Sequence, residues 1–166
     1  MSTTMDFIPS HDPTWHLLDG EGGPHAQPVP AAHALLTLAQ WHAVRDTWPA
    51  GLPVGVVLTP DADVAALAAE LPRLALVRLQ FPKWTDGRAY SQARLLRGRH
   101  GFGGDLRATG DVLADMLPLL QRTGFTSVQL RADQSVASAR RALRFFAGHY
   151  QGDVARPQPL FNRQAA

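Results

Sequence analysis

Between Lys83 and Arg107 the chain carries six cations (Lys83, Arg88, Arg94, Arg97, Arg99 and Arg107) against two acids (Asp86 and Asp105). That is a local balance of +4 in a protein whose net charge is +2. Arginine presents a planar fork of donors that fits the oxygens of carboxylate, phosphate or a sulfur oxyanion. Ser91 and Tyr90 add hydroxyls, and Lys83 adds a compact point charge. Such a set suits a small anionic ligand, with Arg88, Ser91, Arg94, Arg107 and Lys83 as its binding residues. Acid–base chemistry in the same neighbourhood would fall to Asp86, Asp111 or Tyr90. Both aspartates also have a structural reading, because Asp ahead of a helix caps it. Arg107 could equally pair with Asp111 or Asp86 and tie two turns together.

The elements around these residues decide whether they meet. Leu74–Phe81 reads as a strand, Asp86-Gly87-Arg88 as a turn, and 88–99 as a helix whose Ala89, Ala93 and Leu96 share an inward face. The N-terminus of that helix would add free amide donors and a partial positive charge. Gly101-Phe102-Gly103-Gly104 ends the helix, a strand follows near Asp105–Ala108, and Asp111 is placed to cap a helix running to Arg122. Upstream, Ala34–Ala39 and Pro53–Thr59 read as strands. The first precedes a short helix over 41–48. The second precedes a helix from Asp61 or Asp63 to Leu71, with Val64, Leu67, Ala68 and Leu71 as its apolar stripe. Thr126–Leu130 is a last strand, and Asp133 is placed to cap a helix from Gln134 to about Tyr150.

Five β–α units in succession predict an α/β domain over residues 33–150, built on a mostly parallel open sheet with helices on both faces. A complete eight-stranded barrel takes about 250 residues, so the barrel alternative is a half TIM-barrel-like sheet, with completion by a second copy in a homodimer. Residues 1–32 read as an irregular lead-in, with a short strand or hairpin at Trp15–Leu18 before an Asp19-Gly20 turn. Residues 151–166 read as a flexible tail. In a parallel sheet the turns at Thr59–Asp63, Pro82–Arg88, Arg107–Asp111 and Arg131–Asp133 share one rim, where sites of such folds sit.

Several chemistries are excluded. No cysteine is present, which removes thiol nucleophiles, disulfides and thiolate metal sites. His11, His16, His25 and His33 show no metal-ligand spacing, so no metal is expected. No cofactor is specified either: GxGxxG and GxxxxGK[ST] are missing, and Gly101–Gly104 precedes a strand where a phosphate loop would link strand to helix. Ser91 has no nucleophile elbow. The first residues lack a secretory pattern and no apolar run approaches a membrane span, so the expected location is cytoplasmic. Trp84, Tyr90 and Phe102 among basic residues could stack bases, but the small net charge argues against nucleic acid.

Phe81–Ser91, Ala93–Arg97 and Leu106–Leu113 together resemble a bacterial family of unknown function. Its members are described as oxidoreductases involved in sulfite reduction and are often encoded beside assimilatory sulfite reductase. The likeness runs from about Leu35 to Tyr150. It implies an accessory protein of sulfite or sulfate reduction, one that binds a small oxyanion or the reductase through the arginine-rich rim. An oxidoreductase of sulfur assimilation using a diffusible cofactor is the alternative. The chain departs from the family at Thr123, where Cys is common, and at Met116, where Gln is frequent. An essential thiol is thereby ruled out at the first position.

Overall fold

The computed structural model describes residues 4–18, 27–145 and 149–162. Seven parallel strands form one curled, open sheet, a half-barrel: β1 (Asp6–Phe7), β2 (His16–Leu17), β3 (Ala34–Thr37), β4 (Val54–Leu58), β5 (Leu76–Phe81), β6 (Asp105–Gly110) and β7 (Ser127–Val128). The spatial order is β1-β7-β6-β5-β4-β3-β2. From β2 to β7 each strand lies beside the next in sequence. Right-handed crossovers that never reverse direction put the connections from β3 to β7 on the same face. The expectation of helices on both faces is therefore corrected, and the half-barrel alternative stands.

The connections are α1 (Leu38–Val44), α2 (Arg88–Arg94), α3 (Leu117–Thr123) and α4 (Val136–Arg144). Between β4 and β5 the predicted helix is two 3₁₀ segments, Val64–Leu67 and Leu71–Arg73, with Pro72 inside the second. Their Val64, Leu67 and Leu71 are buried as the stripe required, whereas Ala68 is exposed. Asp63 caps the first by accepting from the Ala65 amide at 2.9 Å. α2 continues as a π turn over Leu95–Arg99 and ends at Gly101, whose φ is +64°.

The helix side of the sheet holds the main core. Leu36, Val56, Leu58, Val77, Leu79, Phe81, Leu106, Ala108 and Val128 project into it from the strands, and Ala89, Ala93, Leu96, Leu117 and Leu120 meet them from the helices. Each fully buried large apolar side chain stabilises by about 1.5–3 kcal/mol relative to exposure. Arg97 crosses beneath α2 and donates to the carbonyls of Gly124 (2.9 Å), Gly104 (2.9 Å) and Phe102. One cation of the clustered six is thus a staple between loops.

The helix-free side is the concave one, and its composition is different. Strand alternation sends Leu35, Gly55, Val57, Leu76, Arg78, Gln80, Asp105, Arg107, Thr109 and Ser127 to it. The β5–β6 register sets Arg78 against Arg107 and Gln80 against Thr109. A Cβ on Gly55 would lie 2.8 Å from Leu35 Cδ2; the missing side chain makes room for Leu35.

The N-terminal lead-in is part of the sheet. β1 pairs with β7 at one edge and β2 with β3 at the other, so residues 8–15 cross the open mouth of the half-barrel as a strap. Gln129 Nε2 donates to the carbonyls of Pro9 (2.9 Å) and Ser10 (2.6 Å). Trp15 packs on Leu35, Val57 and Leu76. The strap occupies the side on which a second copy would complete a barrel. The Asp19-Gly20 turn and His25 lie outside the described residues, as do 146–148 within the span expected for the last helix. Beyond Gly152 the chain still touches the core: the Val154 amide donates to the Arg122 carbonyl at 3.3 Å. Among the described residues no helix is long and apolar enough to cross a membrane.

Candidate functional site

The four strand-to-helix turns do converge on one rim. Gln92 Nε2 donates to the carbonyls of Thr59 (2.9 Å) and Ala62 (3.0 Å), joining α2 to the turn after β4. Asp111 accepts from the Trp84 amide at 2.9 Å and from Arg131 Nη1 at 2.6 Å, joining the turns after β5, β6 and β7. Neither Asp111 nor Asp133 caps a helix, which corrects both expectations. Leu113 precedes the turn into α3, and Ser135 caps α4 through the Ser138 amide. Asp86 comes closer to its structural reading, accepting from the Arg88 amide at 3.2 Å beside the Gly87 cap.

On this rim the cations are engaged. Arg88 turns back on Asp86 with Nε and Nη2 at 3.0 and 2.7 Å, a two-pronged pair that satisfies the face an anion would use. Arg131 holds Asp133 in the same way, at 2.6 and 2.7 Å, and Asp111 as well. The Arg88 hydrogen bond holds Asp86 below the usual carboxylate range, and the Arg131 fork holds Asp133 down to about 2. Counted by residue, the turns carry Asp61, Asp63, Asp86, Asp111 and Asp133 against Lys83, Arg88 and Arg131. The rim is acidic in balance. Ser91 and Arg94 are exposed on the outer face of α2, and Lys83 is exposed in the turn. Tyr90 packs edge-on against Phe81 and Phe125, at centroid distances of 5.1 and 6.5 Å. Burial pushes its phenol up, away from service as a base.

Arg107 belongs elsewhere. It lies inside β6, not in the turn, and its side chain reaches the concave face, where it is 7% exposed. It neither pairs with Asp111 nor with Asp86. It holds Asp12 of the strap through Nη1, Asp105 through Nη2 at 2.9 Å, and Ser127 Oγ through Nε at 3.0 Å. Asp105 also accepts from Ser127 (2.8 Å) and Thr126 (2.7 Å). The network sets two carboxylates against Arg107, so one negative charge is left over beside Arg78.

Its neighbour Arg78 differs. Arg78 is partly buried and gives one hydrogen bond, Nε to Thr109 Oγ1 at 2.9 Å, with no ion pair among the described residues. Burial lowers its pKa, Arg107 lowers it further, and Asp12 offsets part of this. A desolvated cation without a counter-ion is costly to keep. Arg78 and Arg107 line a cavity of about 330 Å³ between sheet and strap. Thr109 and Gln129 line it beside them, Ser10, His11, Asp12 and His16 close it from the strap side, and Trp15, Leu17 and Leu35 form its apolar wall.

The charged rim and its convergence are legible in the sequence, whereas Arg78 does not stand out among the clustered cations. Its signal was the alternation Val77-Arg78-Leu79-Gln80-Phe81: a strand buried on both faces would not carry Arg and Gln at every second position. The crossing of the strap had no such signal.

Residues 55–161 match the model of a family described as bacterial protein of unknown function (DUF934). No curated protein matches the chain.

Proposed function

Because the chain belongs to this bacterial family of unknown function, we propose that it is an accessory protein of sulfite or sulfate reduction that binds a small oxyanion inside the half-barrel. The link to sulfur rests on the likeness of segments 81–97 and 106–113 to proteins encoded beside the reductase. The anion reading rests on Arg78, a partly buried guanidinium over a polar-lined cavity that has no ion pair among the described residues, the Asp12 carboxylate of the same cavity being held by Arg107. An oxyanion there supplies counter-charge, accepts from the Nη donors that Arg78 leaves unused, and lies within reach of the Thr109 hydroxyl. Arg107, already neutralised by Asp12 and Asp105, contributes field and position. The site moves from the rim to the concave face because Arg88 is already satisfied by Asp86.

Thermal-shift titration with sulfite, sulfate and phosphate tests this reading. At least one anion raises the melting temperature of the parent and has no effect on Arg78→Met. Equal stabilisation of parent and variant removes the site, and no stabilisation by any of the three removes the proposal. Loss of growth of an Arg78→Met strain on sulfate or sulfite, with growth on cysteine retained, tests the pathway assignment.

A further inference from the structure

The cavity is larger than an inorganic oxyanion needs, and its surplus has a particular character. At about 30 Å³ per water, 330 Å³ would hold on the order of ten waters. That volume lies at the lower end of pockets that enclose small organic ligands. The concave face is divided across the sheet. Toward β5, β6 and β7 it is polar, with the Arg78–Arg107 pair, Thr109 and Gln129. Toward β2 and β3 it is apolar: Leu17 and Leu35 are register partners, and Trp15 leans on Leu35 from the strap. Leu17 is 45% exposed although it lines the cavity, so apolar surface there faces open space.

The two halves are mechanically joined. One carboxylate oxygen of Asp12 accepts the amides of Thr14 (2.8 Å) and Trp15 (3.2 Å), while the other holds Arg107. The edge of Trp15 and the ring of His33 meet at 90° with centroids 5.1 Å apart. The aromatic surface is thus held at a fixed place relative to the cations, which favours a ligand with two unlike ends.

We propose that the ligand is an organic oxyanion, a sulfate, sulfonate or phosphate group carried on a flat apolar body. The charged group sits at Arg78 and the body lies along Trp15, Leu17 and Leu35. This rests on the reading that Arg78 takes an oxyanion, and extends it to the rest of the ligand.

Phenyl phosphate and phenyl sulfate, set against inorganic phosphate and sulfate in calorimetric titrations of the full chain, test the extension. The aryl esters bind about tenfold more tightly than the inorganic ions. Trp15→Ala and the exposed Leu17→Gln bring the esters back toward the inorganic level and leave inorganic binding unchanged. Leu17→Gln keeps the experiment decisive if Trp15→Ala loosens the strap. Equal affinity of esters and inorganic ions in the parent overturns the organic ligand while the oxyanion site stands. Tighter ester binding that neither variant reduces overturns the assignment of the apolar wall. No binding by any of the four probes overturns the oxyanion site itself.

Discussion

Arg78 and Arg88 stand ten residues apart, one in the middle of β5 and the other in the turn that follows it. Arg88 lies in solvent and spends its fork on Asp86, two residues away. Arg78 sits on the concave face with a single hydrogen bond and no ion pair among the described residues. The sequence around Arg88 advertises a site, because charge, turn and helix start coincide there. Yet exposure and local pairing make that cation the poorer anion host. Water already solvates it, and an incoming anion must displace Asp86 first. Arg78 has no such paired carboxylate among the described residues, and its partial burial weakens the screening of its field. A binding cation is distinguished less by how many charges surround it in the chain than by what they leave unpaired once the chain folds.

The sharpest way to break this comparison is to remove the paired and the unpaired arginine of the concave face in turn. Arg107→Ala leaves the partly buried Asp12 and Asp105 without the guanidinium that holds both, with Arg78 the nearest cation left, and breaking a fully buried pair costs about 3–5 kcal/mol at most. Urea unfolding should show a loss of up to that size, with the strap released and Trp15 fluorescence shifted to the red. Arg78→Met should stay within about 1 kcal/mol of the parent, because a desolvated charge is exchanged for an apolar chain of similar length. The reverse ranking would mean that Arg78 is a structural cation and Arg107 the spare one.

Asp12→Asn sharpens the same contrast, with an intermediate effect. The amide keeps an acceptor for the Thr14 and Trp15 amides but loses the charge that neutralises Arg107. Anion affinity should rise several-fold while the melting temperature falls. Lower affinity in this variant would place Asp12 among the ligand's own contacts.

How far the sequence reached follows from which forces are local. Alternating strands and helices, the inward faces of 88–99 and 64–71, and the shared rim rest on hydrophobic period and turn residues, all readable within about ten positions. The half-barrel alternative followed from length and strand number. The face on which the helices lie did not, because strand order is a long-range property. A strand ending near Ala108 puts Arg107 on the rim; β6 runs to Gly110, where φ is +100° and a Cβ would collide with the Phe81 carbonyl oxygen. Two residues of extra strand carry Arg107 from the rim into the cavity. Asp12 meets Arg107 across 95 positions, and nothing in the spacing of Pro and Gly through the lead-in foretells that contact.

Acid separates the concave face from the rim next, by a smaller effect. Burial alone would push the Asp12 carboxyl up, but the Thr14 and Trp15 amides and Arg107 outweigh it and hold it below its ordinary value. A lowered carboxyl stabilises the fold fully above its ordinary value, and that contribution is lost as pH falls through the lowered one. The strap should therefore hold from neutrality to about pH 4 and loosen below it. The difference in fluorescence between parent and Trp15→Phe reports the change. A transition already present at pH 5, or one that persists in Asp12→Asn, would assign the strap's grip to other groups.

The smallest effects belong to the rim, and they bear on whether the protein is itself a catalyst. Arg88→Ala, Asp86→Asn and Asp111→Asn remove charges that are solvated and paired with near neighbours. Thermal melts should leave all three unchanged, and anion titrations should match the parent. Asp111→Asn retains an oxygen for the Trp84 amide, so the joint between the turns after β5 and β6 survives while the link to Arg131 is lost. Growth on sulfite as sulfur source should be complemented by all three variants. If either aspartate variant fails while its melt and anion titration stay intact, the rim carries chemistry that the concave face does not. The oxidoreductase reading would then return, with Asp86 or Asp111 as its proton carrier.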